Sequence, residues 1–171
     1  GCTLPPYNSF SRLIKLWNRV AVVNSFGVYT YQFDDLFQSL KPKINKIIKE
    51  FKQIDTRIKY VELANLHLTL KFFGEIDTAG LELLEEKIAK VVSEFKPFNV
   101  KIKSCGAFPN NNHIKVIWVG IEDDSIIKDL HDKLDKEFTK LGFDKDKKFS
   151  THLTIGRMKS AKNKNQVKIS L

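Results

Sequence analysis

Apolar residues recur along the chain at two periods, and the change from one period to the other predicts where helices and strands lie. Spacings of three and four residues predict amphipathic helices over 33–51, 81–95 and 126–141. Runs of β-branched or alternating residues predict strands over 19–26, 57–61, 66–73, 98–102, 115–121, from about 149 onwards, and over 167–171. This order predicts an α+β fold of two related lobes rather than a doubly wound parallel sheet.

Residues with strong backbone preferences mark the ends of these elements. Thr78 is a favourable N-cap for the second helix, and Gly142 is a favourable stop for the third. Pro42 lies inside the first helical pattern and predicts a kink or a split into two pieces. The polar segments 109–112, 144–148 and 159–166 predict a turn, a solvated charged loop and a further loop.

The composition is that of a folded protein with a basic surface. The chain has 171 residues, 42% of them hydrophobic, which suffices for one compact domain or two small lobes. Its 29 Lys and Arg exceed its 20 Asp and Glu, giving a net charge of +9. Such a surplus favours a polyanionic partner, nucleic acid first, although lysine-rich helices that are simply solvated give the same count.

The cysteines and the apolar runs bear on the location of the protein. Two cysteines without metal-like spacing argue against a disulfide scaffold and a zinc site, and favour a reduced, cytoplasmic location. No apolar stretch is long enough to cross a bilayer, and residues 1–10 lack the basic-then-apolar order of a signal peptide. We therefore expect no membrane partner.

One short phrase occurs twice, as His67-Leu68-Thr69-Leu70 and as His152-Leu153-Thr154-Ile155. In a strand, residues two apart share a face, so each phrase sets an imidazole beside a hydroxyl with aliphatic side chains behind them. A single strand histidine is usually structural, but two such phrases, each after a long amphipathic helix, are improbable by chance in a chain with four histidines. Two such strands facing one cleft would supply acid–base chemistry for a phosphodiester.

Other candidate residues carry weaker signals. Arg157 follows the second phrase closely enough to reach a phosphate with both guanidinium nitrogens, or it is a solvated charge at the strand end. His113, in an asparagine-rich turn, and His131, on the flank of the third helix, are predicted to be surface residues. Neither phrase contains a carboxylate, so we expect no metal site there. The absence of a glycine-rich phosphate loop disfavours a nucleoside triphosphatase.

The paired phrases resemble the motifs of the 2H phosphoesterase superfamily. The closer resemblance is to the LigT-like RNA 2′,3′-cyclic phosphodiesterases, also known as the 2′-5′ RNA ligase family, and it covers about residues 60–159. The similar segments are 65–75, 106–109, 116–120 and 152–157. This resemblance implies an α+β fold of two pseudo-twofold-related lobes, with antiparallel sheets, helices packed outside, and a central groove that carries one motif strand from each lobe.

The resemblance also implies the reaction and the residues that perform it. The reaction would be hydrolysis of a terminal RNA 2′,3′-cyclic phosphate to a 2′-phosphomonoester, without metal or other cofactor. His67 would be the proton donor and His152 the proton acceptor, although the two nearly symmetric phrases do not by themselves assign these roles. Thr69, Thr154 and Arg157 would hold the phosphate oxygens and stabilise developing charge.

The expected partner is RNA with a cyclic phosphate end, tRNA fragments included, bound by a monomer. Four lysines either guide the RNA strand or are simply solvated: Lys71, Lys147, Lys148 and Lys159. Two other functions fit the same residues. One is a reversible 2′-5′ RNA ligase that uses the same site, and the other is an RNA- or nucleotide-binding module without turnover.

The ends of the chain depart from the family pattern. We predict one two-lobed domain over 1–171, in which residues 1–18 are an atypical N-terminal segment. Residues 2–6 and 11–16 resemble the terminal segment of the family moved to the front, which predicts a circular permutation. An unrelated extension combined with a C-terminal truncation is the alternative.

Overall fold

The computed structural model describes residues 21–24, 27–29, 40–73, 78–96, 98, 100–160 and 162–169. The strands in these ranges are β1 (Ala21–Asn24), β2 (Gly27–Tyr29), β3 (Ile58–Tyr60), β4 (Thr69–Phe72), β5 (Lys101–Asn110), β6 (His113–Glu122) and β7 (His152–Met158). The helices are α1 (Lys41–Lys52), α2 (Thr78–Ser93), α3 (Ser125–Lys140) and α4 (Lys164–Ile169), with a short 3₁₀ turn at Leu63–Asn65. This mixture of helices and antiparallel strands confirms the predicted α+β class.

The chain divides into two compact units. The first unit comprises residues 1–33, 70–97 and 126–149, and the second comprises 34–69, 98–125 and 150–171. One crossing between the units, after Thr69, falls inside the first repeated phrase, and another, after Phe149, lies two residues before the second phrase. Both His-x-Thr triplets therefore lie in the second unit, whereas the resemblance implied one motif strand from each lobe.

The second unit contains a four-stranded antiparallel sheet with strand order β3-β7-β6-β5. One face of its central strands is apolar, and the side chains of Ile117, Val119, Leu153 and Ile155 are completely buried. Helix α1 contributes Ile44, Ile48 and Phe51 to the buried residues of this unit. Pro42 lies in the first turn of α1, where its missing N–H needs no helical partner, so it does not kink this helix. The predicted split into two pieces depends also on residues 33–39, which lie outside the described residues.

The first unit contains α2, most of α3 and a three-stranded sheet of order β2-β1-β4. Ile126, which was predicted to lie on the buried face of α3, is exposed. The other apolar positions that are buried in the two helices agree with the helical spacing: Leu84, Ile88, Val91, Ile127, Leu130, Leu134 and Phe138. Gly142 follows α3 with φ of +93°, a conformation that favours glycine, and this confirms the predicted stop. Among the described residues, no helix has the length and apolar character needed to cross a membrane.

Two local predictions were wrong in detail. Residues 164–169 form helix α4, whereas a loop up to 166 followed by a strand was predicted. Val167 is buried on this helix, and Lys164 and Lys168, one helical turn apart, both reach Asn112. The turn is shorter than the predicted 109–112, since β5 ends at Asn110 and β6 begins at His113 to form a hairpin. Its tip is held by the Asn110 side chain, which accepts the N–H groups of Asn112 and His113, each at 3.0 Å.

Several predictions fall outside the described residues. These are the first half of the helix predicted over 33–51, the N-terminal segment 1–18, and with it the segment on which the predicted circular permutation depends.

Candidate active site

The two repeated phrases meet at an antiparallel bridge between Leu68 and Leu153, both of which are buried. The register of this bridge sets His67 opposite Thr154, and Thr69 opposite His152. Because alternate residues of an extended chain share a face, these four side chains lie on the face opposite the two leucines. All four are half-buried. The second unit thus brings together both histidines and both threonines that the sequence singled out.

The two imidazoles are held by the same type of contact. His67 Nδ1 donates to the carbonyl of Asn65 at 2.9 Å, and His152 Nδ1 donates to the carbonyl of Ser150 at 2.7 Å. A carbonyl oxygen only accepts, so Nδ1 carries the proton and Nε2 of the neutral ring keeps its lone pair. In each neutral ring, Nε2 is therefore the nitrogen that is able to accept a proton.

The surroundings of His152 favour its neutral form. Burial lowers the pKa of His152, the bond to the Ser150 carbonyl acts in the opposite sense, and the charge of His67 lowers the pKa further. The His152 ring contacts the ring of Phe108 edge-on, with centroids 4.8 Å apart, and the ring of Trp118 lies at 6.2 Å. A neutral imidazole near pH 7 is suited to accept a proton.

A bulge in β7 decides which face of the sheet carries Arg157. Thr154 pairs with Trp118, but the next residue of β6, Ile117, pairs with Gly156, so β7 has one extra residue at this step. Strict alternation of side chains along β7 would place Arg157 on the face of the sheet that carries the buried Leu153 and Ile155. The bulge instead pairs it with Val116, on the face that carries His152 and Thr154. Arg157 is exposed there.

Lys59 is a candidate site residue that no sequence pattern singled out. It is the cross-strand partner of Arg157 in β3, and it is also exposed. Cross-strand partners share a face, so two positive charges lie side by side on the face of the histidines. Such a like-charged pair is unfavourable alone and becomes favourable beside an anion. The only available signal was the alternation of residues 57–61.

Two aromatic residues beside His152 were also missed. Trp118 lies across Gly106, where an added Cβ would be 2.2 Å from the indole Cζ2, so only glycine leaves room for this ring. The Phe108 ring lies 5.4 Å from that of Trp118. Both residues belong to segments that carried the family resemblance. Trp118 is the cross-strand partner of Thr154, so the two side chains lie on the same face of the sheet.

Two residues that were predicted to be exposed are buried. Lys71 and His131 are each only 4% exposed, so Lys71 is not available to guide an RNA strand and His131 is not a surface residue. Lys71 pairs with Asp135 and Asp146, and His131 bonds Asp146. Partners far along the chain offset the cost of burial, which helix periodicity cannot reveal. His113, Lys147, Lys148 and Lys159 are exposed.

One group of possible metal ligands is found in the described part of the chain. It consists of His131, Asp135 and Asp146, whose ligand atoms lie within 4.8 Å of one another, and it includes neither His67 nor His152. The ammonium group of Lys71 contacts both carboxylates.

Two imidazoles, two hydroxyls and a guanidinium on one face of an antiparallel α+β fold match the set of groups that the resemblance to the two-histidine phosphoesterases implied. The family described as LigT-like phosphoesterases matches residues 36–118. The RNA 2′,3′-cyclic phosphodiesterase of Methanothermobacter thermautotrophicus is 36% identical over 133 residues, which cover 78% of this chain and 72% of that protein. This chain belongs to the LigT-like phosphoesterase family, which confirms the resemblance.

Further relatives support the same family assignment. The RNA 2′,3′-cyclic phosphodiesterase of Methanocaldococcus jannaschii is 36% identical, over 78% of this chain and 73% of that protein. The RNA 2′,3′-cyclic phosphodiesterase of Archaeoglobus fulgidus is 37% identical, over 73% of this chain and 69% of that protein. The crystal structure of a Thermus thermophilus protein shares the fold with a TM-score of 0.59 at 22% identity, covering 72% of this chain and 70% of that one.

Proposed function

We propose that this protein is an RNA 2′,3′-cyclic phosphodiesterase, which hydrolyses the terminal cyclic phosphate to a 2′-phosphomonoester. One observation carries the mechanism: His67 and His152 lie on one face of the same unit, and each is fixed with Nε2 available for proton transfer. The relatives that carry this activity in their names support the substrate. The net charge of +9 fits a polyanionic substrate.

In the proposed reaction, a water molecule attacks phosphorus in line with the 3′ oxygen. His152 Nε2 accepts the proton of this water as the new P–O bond forms. The bond between phosphorus and the 3′ oxygen breaks, and His67 donates its Nε2 proton to the leaving oxygen. The product carries a 2′-phosphate and a 3′-hydroxyl. The lowered pKa of His152 supports its role as the base, since its neutral form predominates near pH 7.

The remaining groups would act on the phosphate oxygens. The hydroxyls of Thr69 and Thr154 donate hydrogen bonds to the nonbridging oxygens, whose charge grows as water adds. Arg157, brought to this face by the bulge in β7, contributes a fixed positive charge with a planar pair of donors. The protein would act as a monomer on single RNA ends, tRNA fragments among them.

Product analysis tests this function. A short RNA ending in a 2′,3′-cyclic phosphate, incubated with the protein in EDTA, is expected to yield a 2′-phosphate end, identified by mass spectrometry and by its resistance to a 3′-phosphate-specific phosphatase. A 3′-phosphate product would contradict the mechanism, and loss of turnover in chelator would indicate a metallohydrolase. Adding an RNA with a 5′-hydroxyl end tests the ligase, and binding without any product would indicate a binding module.

A further inference from the structure

A buried ionic network in the first unit joins the two segments of chain that border the repeated phrases. Lys71 follows the first phrase at once, in β4. Asp144, Asp146 and Phe149 belong to the segment that leads into the second phrase. Residues 144–148 of this segment were predicted from their composition to be a solvated loop.

Lys71 is the centre of the network. Its Nζ donates to the Asp135 carboxylate, to the Asp144 carbonyl at 2.5 Å and to Asp146 Oδ1 at 3.1 Å. Burial alone would lower the pKa of Lys71, but the bonds to the two carboxylates raise it above its ordinary value, so the ammonium stays charged. Asp135 lies on α3, and its carboxylate also accepts the backbone N–H of Asp146 at 3.3 Å.

His131 extends the network towards the second phrase. Its Nε2 bonds Asp146 Oδ2 at 3.0 Å, and its Nδ1 bonds Asp132 at 2.9 Å. Its ring stacks on that of Phe149, with centroids 4.0 Å apart and planes 6° from parallel. The residue after Phe149 is Ser150, whose carbonyl accepts the Nδ1 proton of His152.

We propose that Lys71, Asp135, Asp146 and His131 are positioning residues for the active site. They hold the segment 144–149 against β4, so that the Ser150 carbonyl arrives where it fixes the tautomer and orientation of His152. A catalytic group displaced by about 1 Å can lose roughly a hundredfold in rate, so such control has a large effect. A buried ion pair is often no more stabilising than an apolar replacement, so stability alone accounts poorly for this network. The inference rests on the proposed function.

His131→Phe is the first test. This variant keeps a ring to stack on Phe149 and removes the bonds of His131 to Asp146 and Asp132, whose carboxylates are both partly open to solvent. Lys133→Met is the matched control on the same helix, because it removes exposed ion pairs with Glu94 and Asp129. For His131→Phe we expect kcat to fall at least about tenfold with KM within about twofold, and the ¹⁵N signals of the His152 ring to move. The control should match the parent protein.

A second variant guards against loss of folding. Lys71→Met alone leaves Asp135 buried without its partner, whereas Lys71→Met with Asp135→Leu removes both charges. If the network only stabilises the fold, the double variant regains the activity that the single one lost. If it positions His152, the double variant folds but keeps a low kcat and altered His152 signals. Parent-like kcat and signals in both this variant and His131→Phe would overturn the inference. If the parent protein itself fails to hydrolyse cyclic phosphates, the proposed function falls, but the His152 signals still decide whether the network positions that ring.

Discussion

At the scale of single residues, the proposed chemistry depends on two imidazoles that share one orientation but differ in surroundings. Both donate Nδ1–H to a carbonyl two residues earlier, so both present Nε2. Only the structure shows that His152 packs against Phe108 near Trp118. The two phrases are nearly identical in sequence, so the phrases alone left the roles open, and the support for His152 as the base comes from residues elsewhere in the chain.

The lowered pKa of His152 predicts the shape of the pH–rate profile. A base must be neutral to act, so the rate rises with pH as His152 loses its proton. Because burial and the charge of His67 lower that pKa, the midpoint of this rise should lie below the ordinary histidine value of about 6.5. Measuring kcat/KM against pH checks this, and a rise centred above the ordinary value would contradict the assignment.

Lys59 is predicted to bind the substrate through its charge. Beside Arg157 it adds a second cation on the site face, where it can attract an RNA phosphate. We expect Lys59→Gln to raise KM for an RNA substrate by about threefold to tenfold, with little change in kcat, since an exposed charge contributes on the order of 1 kcal/mol. Lys101→Gln in β5, also exposed, is the control. Equal effects of the two substitutions would refute a specific role for Lys59.

At the scale of elements, the bulge in β7 is the feature on which the composition of the site depends. The apolar alternation of β7 was evident from the sequence, and the burial of Leu153 and Ile155 agrees with it. Strict alternation nevertheless assigns Arg157 to the wrong face. The local signal was Gly156, because glycine inside a strand often marks a bulge or a close approach of another chain segment. Its meaning became clear only from the pairing with β3 and β6.

Substituting Gly156 tests this account of the bulge. A Cβ at this position would lie 2.8 Å from Ile58 Cγ2 in β3, closer than two such atoms can approach. We expect Gly156→Ala to lower the free energy of unfolding by about 1–3 kcal/mol, as overpacked core substitutions do, and to lower kcat because Arg157 moves. Ile58→Ala in the same chain should restore part of both. Urea unfolding and kinetics would check this, with Ile58→Ala alone as the reference, and an unchanged stability of Gly156→Ala would contradict it.

At the scale of the whole molecule, short-range patterns predicted the elements and long-range contacts escaped prediction. Periodicity predicted helices α2 and α3 and the α+β class. Repetition predicted that the two phrases lie together. The partnership of Lys71 with Asp135 and Asp146 was not, because it joins residues remote in sequence through specific geometry. A lysine in a strand and a histidine on a helix flank look exposed until their buried partners are known.

The most direct test of the account compares three alanine variants with the parent protein on an RNA with a 2′,3′-cyclic phosphate end. His67→Ala and His152→Ala each remove one proton-transfer group, so each should lower kcat by at least about a hundredfold while the circular dichroism spectrum and the urea midpoint stay close to those of the parent. His113→Ala, which changes an exposed histidine at the hairpin tip, should leave kcat unchanged. Near-parent turnover in either His67→Ala or His152→Ala would contradict the claim that the two imidazoles act as one catalytic pair.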